Sequence, residues 1–254
     1  MKYLKLLGLF ALFMASQLQA QRFPEHPEEV DPRNKGKAIL FHFGLGGQLP
    51  GGDLYDRFGL NGVYGGGVEF LTENNFFIGL EGLGIFGTEV KDDPLINLRT
   101  PDGFIIGNDR ALASVALRQR GWYAGGNIGK IFTFNDQRHG LRVSLGGGWQ
   151  QHKIRVQDNR QVLTQITGDY IKGYDRLTAG FTLNQFIGWQ HLGKLRRNNW
   201  MIGFEFSQGF TKSFRDWDFS EMKKLEGNRL DLRFGIKAAW TLPFYMTKSD
   251  EIYY

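Results

Sequence analysis

Serine, histidine and carboxylate side chains are the residues of this chain that could carry hydrolytic chemistry. A nucleophilic hydroxyl needs a histidine base within hydrogen-bond reach and a carboxylate that orients the base. His152, with Ser144 or Asp158, is the strongest candidate set. Ser144 and His152 are eight positions apart on one predicted strand, and at about 3.3 Å per residue that separation far exceeds hydrogen-bond reach. Because no Gly-x-Ser-x-Gly elbow occurs either, we predict no catalytic residues and no enzymatic activity.

Metal and cofactor sites are not predicted. The chain has no cysteine, and His26, which lies among the carboxylates of residues 25–29, gives no ligand spacing on its own. The glycine clusters at residues 44–46 and 65–67 are not followed by a Lys-Ser or Lys-Thr pair or by a helix start, as a phosphate-binding loop requires. We therefore expect no metal ion and no cofactor.

Charged residues of both signs recur at alternate positions of strand-like segments. Since successive side chains of a strand point to opposite faces, these residues share the face opposite to the apolar one. They are Glu69, Glu81, Arg142, Glu205, Asp231, Arg233 and Lys237. Buried charges must be paired and hydrogen-bonded, so we predict a network of ion pairs that plugs an interior; a proton or ion path is the alternative. Glu205 and Lys237 fall at similar depths on neighbouring strands and are predicted to pair.

The segment from Leu230 to Phe244 shows the alternation most clearly. Every second residue is apolar, while the positions between them carry Asp231, Arg233, Lys237 and small or polar residues. One face therefore suits lipid and the other suits a polar interior, and the segment is long enough to cross a bilayer. This pattern is typical of a transmembrane β-strand.

Seven earlier segments repeat the alternation, and for any one of them a strand of a soluble β-sandwich is the alternative. The eight predicted strands span about residues 37–48, 62–71, 76–86, 121–134, 141–152, 176–190, 200–210 and 230–244. Short turns alternate with long loops between them, as in outer-membrane barrels. Since lipid cannot satisfy an open sheet edge, we predict an all-β fold, an eight-stranded antiparallel up-and-down transmembrane β-barrel over residues 37–245. Gln185 interrupts the apolar face of the sixth strand, where a bulge or register change could occur.

The N-terminal residues predict that the chain is exported. Lys2 and Lys5 precede a short apolar run, and Leu-Gln-Ala ends at Ala20. This is the pattern of a secretory signal peptide over residues 1–20; a membrane anchor helix, which needs about 20 apolar residues, is the alternative. Residues 21–36 predict an acidic periplasmic leader and residues 246–254 a periplasmic tail. We therefore expect a location in the bacterial outer membrane with both termini in the periplasm.

Large aromatic side chains are predicted to form girdles at the two membrane interfaces. Trp189, Trp200 and Phe244 fall at the periplasmic rim, Trp122 and Trp149 fall at the outer rim, and Trp240 belongs to the same set. The net charge of +5 is not clustered in a basic stripe, so we expect no nucleic-acid partner.

The export signal, the eight segments and the closing Phe234…Trp240…Phe244 strand resemble the small outer-membrane barrels of the OmpA-transmembrane and OmpX type, in a version common in Bacteroidota. The resemblance covers residues 37–245 and carries no diagnostic motif. It implies contact with outer-membrane lipids, including lipopolysaccharide, and diverse functions across the family. Two departures are expected: no peptidoglycan-binding domain of the OmpA kind, and a nine-residue tail after the aromatic Phe244 or Tyr245 that assembly machinery would read.

The long outer loops contain the candidate contacts with a protein partner. They are Leu95, Ile96, Phe104 and Ile105 in loop 87–120, and Phe214, Trp217 and Phe219 in loop 211–227. If exposed, these apolar side chains indicate an interaction surface; a loop cap packed on itself is the alternative.

The leading hypothesis for the function is an accessory or anchoring subunit of an outer-membrane complex for secretion or barrel assembly. Its partners would bind the outer loops or the leader, an inference by analogy with the fold. The alternatives are a stand-alone surface barrel for adhesion or envelope integrity, a narrow pore and, least favoured, a lipid-modifying barrel enzyme.

Overall fold

A computed structural model describes residues 36–133, 138–158, 160, 162–193 and 198–246. The predicted signal peptide, the predicted leader except Gly36, and the predicted tail except Met246 lie outside the described residues. Within them, no helix is long and apolar enough to span a membrane.

Eight long antiparallel strands of the described chain close into one barrel. They are β1 (Ala38–Gly52), β2 (Asn61–Leu71), β3 (Phe76–Gly87), β6 (Val115–Thr133), β7 (His139–Asp158), β8 (Thr178–His191), β9 (Trp200–Ser213) and β10 (Asn228–Tyr245). Each pairs with its sequence neighbour, and β1 closes the ring by pairing with β10. The predicted fold class is confirmed.

The strand pairing makes the barrel strongly sheared. From Leu45, successive Cα partners through β10, β9, β8 and β7 reach Phe132 on β6. The opposite path through β2 and β3 reaches Trp122, ten residues away on the same strand. Closing a sheet with such a stagger tilts the strands, typically by about 35–45°.

The outer face of the barrel is an apolar belt. Side chains such as Leu80, Leu145 and Phe204 point outward and are at least 60% exposed, which suits a surface in contact with acyl chains. Gln185 stays in this outward row. β8 pairs without interruption on both sides of it, so the suggested bulge or register change is wrong.

The polarity of the two faces inverts along β7. Leu145 and Trp149 face outward in the middle of the strand, whereas the exposed outward residue beyond them is Arg155. Ile154 and Val156 point inward there and are buried. Because an apolar outer face gives way to a charged one, the belt ends between Trp149 and Arg155.

Strands β6 and β7 are longer than the sequence predicted, with 19 and 20 residues. A strand needs only about 9–11 residues to cross a bilayer, so the extra residues rise above the belt. The apolar alternation of the outer face ends before these residues, so the sequence predicts loops at residues 115–120 and 153–158.

The loops at this end of the barrel contain short elements of their own. Loop 1 (residues 53–60) holds α1 (Asp53–Arg57), and loop 2 (residues 88–114) holds the hairpin β4 (Ile105–Ile106) and β5 (Leu112–Ala113). Loop 3 (residues 159–177) holds two 3-10 turns at Thr164–Ile166 and Gly168–Gly173. Loop 4 spans residues 214–227. Gly52 permits the sharp entry into α1, since its φ is +57° and a Cβ there would lie 2.3 Å from the carbonyl oxygen of Leu230.

An apolar floor fills the barrel at the end with the short turns. Leu40, Leu71, Phe77 and Ile131 point inward there and are at most 3% exposed, and they pack in one cluster with Ala38 and Leu192.

Candidate functional site

Glu69 is the centre of one ion-pair network in the middle of the lumen. One carboxylate oxygen accepts hydrogen bonds from Arg142 Nη2 at 2.5 Å and from Asn127 Nδ2 at 3.2 Å. The other lies 2.8 Å from His42 Nε2. The side chains of Arg142 and His42 are nearly inaccessible to solvent, so the charge of Glu69 is compensated inside the barrel, by the Arg142 guanidinium.

Lys237 is the centre of a second network. Its ammonium lies 3.3 Å from Glu205 Oε2, which confirms the predicted pair, and it also pairs with Glu81. Gln48 Nε2 donates to the second oxygen of Glu205 at 3.2 Å. Lys237 is therefore shared between two carboxylates, which the sequence argument did not anticipate.

The free space between these networks is small. A cavity of about 30 Å³ is lined by residues of both, including Glu69, Glu81, Arg142 and Lys237. A single water molecule needs about 10–15 Å³ of such volume, so the cavity has room for no more than about two or three waters. The arrangement fits a plug better than an ion path.

The remaining predicted lumen charges lie nearer to the loops. Asp231 accepts a hydrogen bond from Thr211 Oγ1 at 2.6 Å, and its oxygens lie 2.8 Å from His152 Nε2 and 3.4 Å from Arg229 Nη2. Arg233 is fully buried between the charges of Asp231 and Glu205.

The candidate hydrolytic set does not come together. His152 is buried against Asp231, and the ring of Phe58 covers it at a centroid distance of 5.7 Å. Asp158 instead accepts hydrogen bonds from the backbone N–H groups of Arg160 and Leu163. It therefore shapes the start of loop 3 and does not orient an imidazole.

The outer loops share an apolar core above the belt. Leu95 and Ile105 of loop 2 pack in it with Val156 of β7 and Leu163 of loop 3, and Phe219 of loop 4 packs against them. Leu95 and Ile105 are at most 3% exposed. The prediction that Leu95 and Ile105 contact a partner is therefore wrong, because each loop needs another loop to bury its apolar side chains. Phe219 is half-buried, and its contact with a partner stays a prediction.

A second apolar cluster covers the barrel mouth. Leu54 of α1 and the adjoining Phe58 are buried against Ile154 of β7. Arg57 turns inward from the same helix and donates to Thr178 Oγ1 at 2.7 Å. Burial lowers the pKa of Arg57 to about 10, so its guanidinium stays charged at neutral pH.

Arg176 joins three loops through charge. It pairs with Asp92 of loop 2, with Asp218 of loop 4 at 3.2 Å and with Glu221 at 3.6 Å. A neighbouring pair links loops 3 and 4, since Arg215 binds both oxygens of Asp175 at 2.7 and 2.5 Å. These hydrogen bonds raise the pKa of Arg215.

The other predicted contact residues are exposed. Ile96 and Phe104 of loop 2 and Phe214 and Trp217 of loop 4 are between 47% and 57% exposed. The structure adds two outward side chains of the loop 2 hairpin, Ile106 and Leu112, at 57% and 60%. We call Ile96, Phe104, Ile106 and Leu112 the loop crest.

The six aromatic residues predicted for the girdles all point away from the lumen. Their exposed fractions lie between 39% and 58% for Trp122, Trp149, Trp189, Trp200, Trp240 and Phe244. Phe214 of loop 4 packs edge-on against Trp149, with ring centroids 6.2 Å apart, so loop 4 reaches the edge of the belt.

Two features of this arrangement are not predicted from the sequence, namely the apolar floor and the Arg176 network. The apolar floor has a signal, because Leu40, Leu71, Phe77 and Ile131 each adjoin another apolar residue, so that both strand faces are apolar near the short turns. The Arg176 network has no comparable signal in the sequence, because its members come from separate loops.

No protein-family model and no curated protein matches this chain. Similar solved structures are small eight-stranded outer-membrane barrels. Ail of Yersinia pestis, in complex with the heparin analogue sucrose octasulfate, is 12% identical, with a TM-score of 0.41 over 82% of this chain and 99% of that one. Neisserial surface protein A is 9% identical, with a TM-score of 0.43 and the same coverage.

A third similar structure is the outer membrane protein OprG from Pseudomonas aeruginosa. It is 8% identical, with a TM-score of 0.38 over 85% of this chain and 100% of that one. At such identities the likeness concerns the fold alone. The eight-stranded barrel itself is shown by the strand pairing of this chain, and an origin in Bacteroidota stays a prediction.

Proposed function

We propose that this protein is a closed, non-enzymatic outer-membrane barrel that presents a folded loop platform to a protein partner outside the membrane. The observation that carries the proposal is the loop crest. Its four apolar side chains are more than half exposed on a loop whose neighbouring residues Leu95 and Ile105 are buried in the loop core. On a protein surface that faces water, a patch of exposed apolar side chains marks an interaction site.

The surroundings of the crest support this proposal. Loop 2 is attached to loop 3 by the Asn108 Nδ2–Thr164 Oγ1 bond of 2.6 Å and to loop 4 by the Asn97 Nδ2–Ser220 carbonyl bond of 2.8 Å. A platform fixed in advance loses little conformational entropy when a partner binds. The filled lumen gives the chain no comparable site inside the barrel.

The orientation belongs to the proposal. Short turns face the periplasm and long loops face outward in outer-membrane barrels, which places both chain termini in the periplasm. The belt would contact outer-membrane lipids, and the charged surface beyond it would contact the headgroups of lipopolysaccharide. A partner in the same membrane would make the protein an accessory or anchoring subunit, and a partner outside the cell would make it a stand-alone surface barrel.

Affinity purification from the protein's own outer membrane in mild detergent, read by quantitative mass spectrometry, tests the proposal. The Ile106→Ser, Leu112→Ser double variant removes the outward face of the hairpin. The matched control, Lys224→Ser with Glu226→Ser, changes equally exposed residues of loop 4. We expect a stoichiometric partner with the wild type and the control, and its loss with the crest variant.

Two results would reject the crest as the binding surface. One is recovery of the barrel without any stoichiometric partner, which favours a stand-alone structural role. The other is a partner retained by the crest variant but lost when residues 21–36 are deleted, which assigns binding to the leader.

A further inference from the structure

Four aromatic rings stand in a row on the outer face of the barrel, at the end with the short turns. His139 of β7 and His191 of β8 lie directly opposite each other in the strand pairing. Their ring centroids are 5.7 Å apart, with an interplanar angle of 31°. Trp200 stacks on His191 at 5.6 Å, and Trp189 lies 6.4 Å from His139. The two imidazoles are thus flanked by indole rings on both sides.

This pair differs from the other described histidines in its surroundings. His42 and His152 are at most 4% exposed and lie within 2.8 Å of Glu69 and Asp231. His139 and His191 are partly exposed, and the neighbours that each faces among the described residues are aromatic rings. A solute can therefore reach both imidazoles without opening the barrel.

Two adjacent neutral imidazoles are a ligand pair for divalent transition metals. Imidazole suits copper, zinc and nickel, and a metal–nitrogen bond is about 2.0–2.1 Å long. Directly opposed residues of antiparallel strands have Cβ atoms about 4.5–5.5 Å apart. Rotation of the two rings about their side-chain torsions can therefore bring one nitrogen of each to a single ion, while the backbone stays in place.

We propose that His139 and His191 form a two-imidazole binding site for a divalent transition-metal ion, with Cu²⁺ bound more tightly than Zn²⁺. The order follows from the general stability series of first-row divalent ions. Water would complete the coordination, since the described residues contain no group of three or more histidine, aspartate or glutamate side chains that could hold a metal. This site lies at the opposite end of the barrel from the loop crest and is independent of partner binding.

Tryptophan fluorescence provides a direct test, because bound Cu²⁺ quenches nearby indoles. The full chain, carrying a tag without histidine, is purified in detergent, stripped with a chelator and titrated with CuCl₂. Two of its six tryptophans flank the site. We expect partial quenching that saturates at one equivalent, with Zn²⁺ competing at higher concentration. His139→Gln or His191→Gln should weaken the apparent affinity by about 100-fold or more, because the second ligand then no longer acts at a high effective concentration.

Controls separate this site from other histidines and from misfolding. His26→Gln should leave the titration unchanged, and a heat-modifiable gel shift checks that each variant still forms a barrel. Electron paramagnetic resonance of the wild-type complex should show coupling of Cu²⁺ to two imidazole nitrogens. Quenching that does not saturate, an affinity insensitive to both substitutions, loss of binding in His26→Gln, or coupling to fewer than two imidazoles would each overturn the proposal.

Discussion

Glu69 and Glu205 occupy the same lumen but differ in how their charges are compensated. Glu69 is the acceptor for Arg142, and the Arg142 guanidinium also stacks over Phe77 at 3.8 Å. Glu205 pairs with Lys237, but Lys237 has a second carboxylate partner in Glu81. Loss of Glu69 therefore leaves a buried cation with no carboxylate, whereas loss of Glu205 leaves Lys237 paired. Removing one partner of a buried ion pair is costly chiefly because of the charge that remains.

The first prediction compares alanine substitutions at these two carboxylates. Glu69→Ala should lower the free energy of unfolding by about 3–5 kcal/mol, the usual cost of breaking a buried pair. Glu205→Ala should lower it, and with it the gel-shift temperature, by a smaller amount. Urea unfolding in detergent micelles measures both, and Glu73→Ala in the exposed turn after β2 should change stability by less than about 0.5 kcal/mol.

An equal or larger loss for Glu205→Ala would show that the pair of Lys237 with Glu81 does not compensate for the lost carboxylate, which also faces the buried Arg233. No loss at all for that variant would contradict the pair that the sequence predicts and the structure contains.

The loops form one platform because each supplies a part that the others lack. Apolar side chains of loops 2, 3 and 4 share one core, and Arg176 connects loop 2 to loop 4 through Asp92 and Asp218. Arg176 has a φ of 46°, a left-handed backbone that costs a non-glycine residue about 1–2 kcal/mol. Its ion pairs and its 2.7 Å hydrogen bond to Ser220 Oγ offset that cost.

The second prediction concerns Arg176→Gln. The substitution removes the charge that faces three carboxylates, and hydrogen bonds to charged groups contribute about 1.5–3 kcal/mol each. Amide hydrogen exchange in residues 88–114 and 214–227 should then accelerate by at least about tenfold, since 1.4 kcal/mol corresponds to a factor of ten. Exchange in the barrel strands should not change.

The control for this experiment is Arg160→Gln, which changes an exposed arginine of loop 3. If Arg176→Gln leaves exchange in both loops at the wild-type rate, the apolar core alone holds the platform and the ionic link is dispensable.

At the scale of elements, the sequence predicts the strands well and the loops poorly. Alternation along Leu230–Phe244 depends on the strand alone, because lipid on one side and the lumen on the other impose a period of two. The fates of Leu95 and Ile96 depend on residues from other loops, which bury the first and leave the second exposed. The sequence around Leu95 and Ile96 therefore does not predict which of the two side chains is buried. The apolar alternation does not predict the full length of β6 and β7, because the outer face of both strands becomes charged above the belt.

The described barrel is closed at three levels along its axis, inside the apolar belt. The floor of Leu40, Leu71, Phe77 and Ile131 closes the end with the short turns. The Glu69 and Lys237 networks fill the middle, and α1 with Phe58 covers the mouth. An eight-stranded barrel has an interior just wide enough for side chains, and here the side chains occupy it. Both sites proposed here, the loop crest and the histidine pair, accordingly lie on the outer surface of the barrel.

Single-channel recording of the wild-type protein in planar bilayers tests whether the lumen is sealed. We expect no discrete current steps over a range of voltages, because the apolar floor, the ion-pair networks and the α1 cap all block the axis of the barrel. A porin of about 16–18 strands, whose barrel encloses an aqueous channel, serves as the positive control in the same bilayers. Reproducible current steps from the purified wild-type barrel would contradict the sealed lumen and would favour the narrow pore.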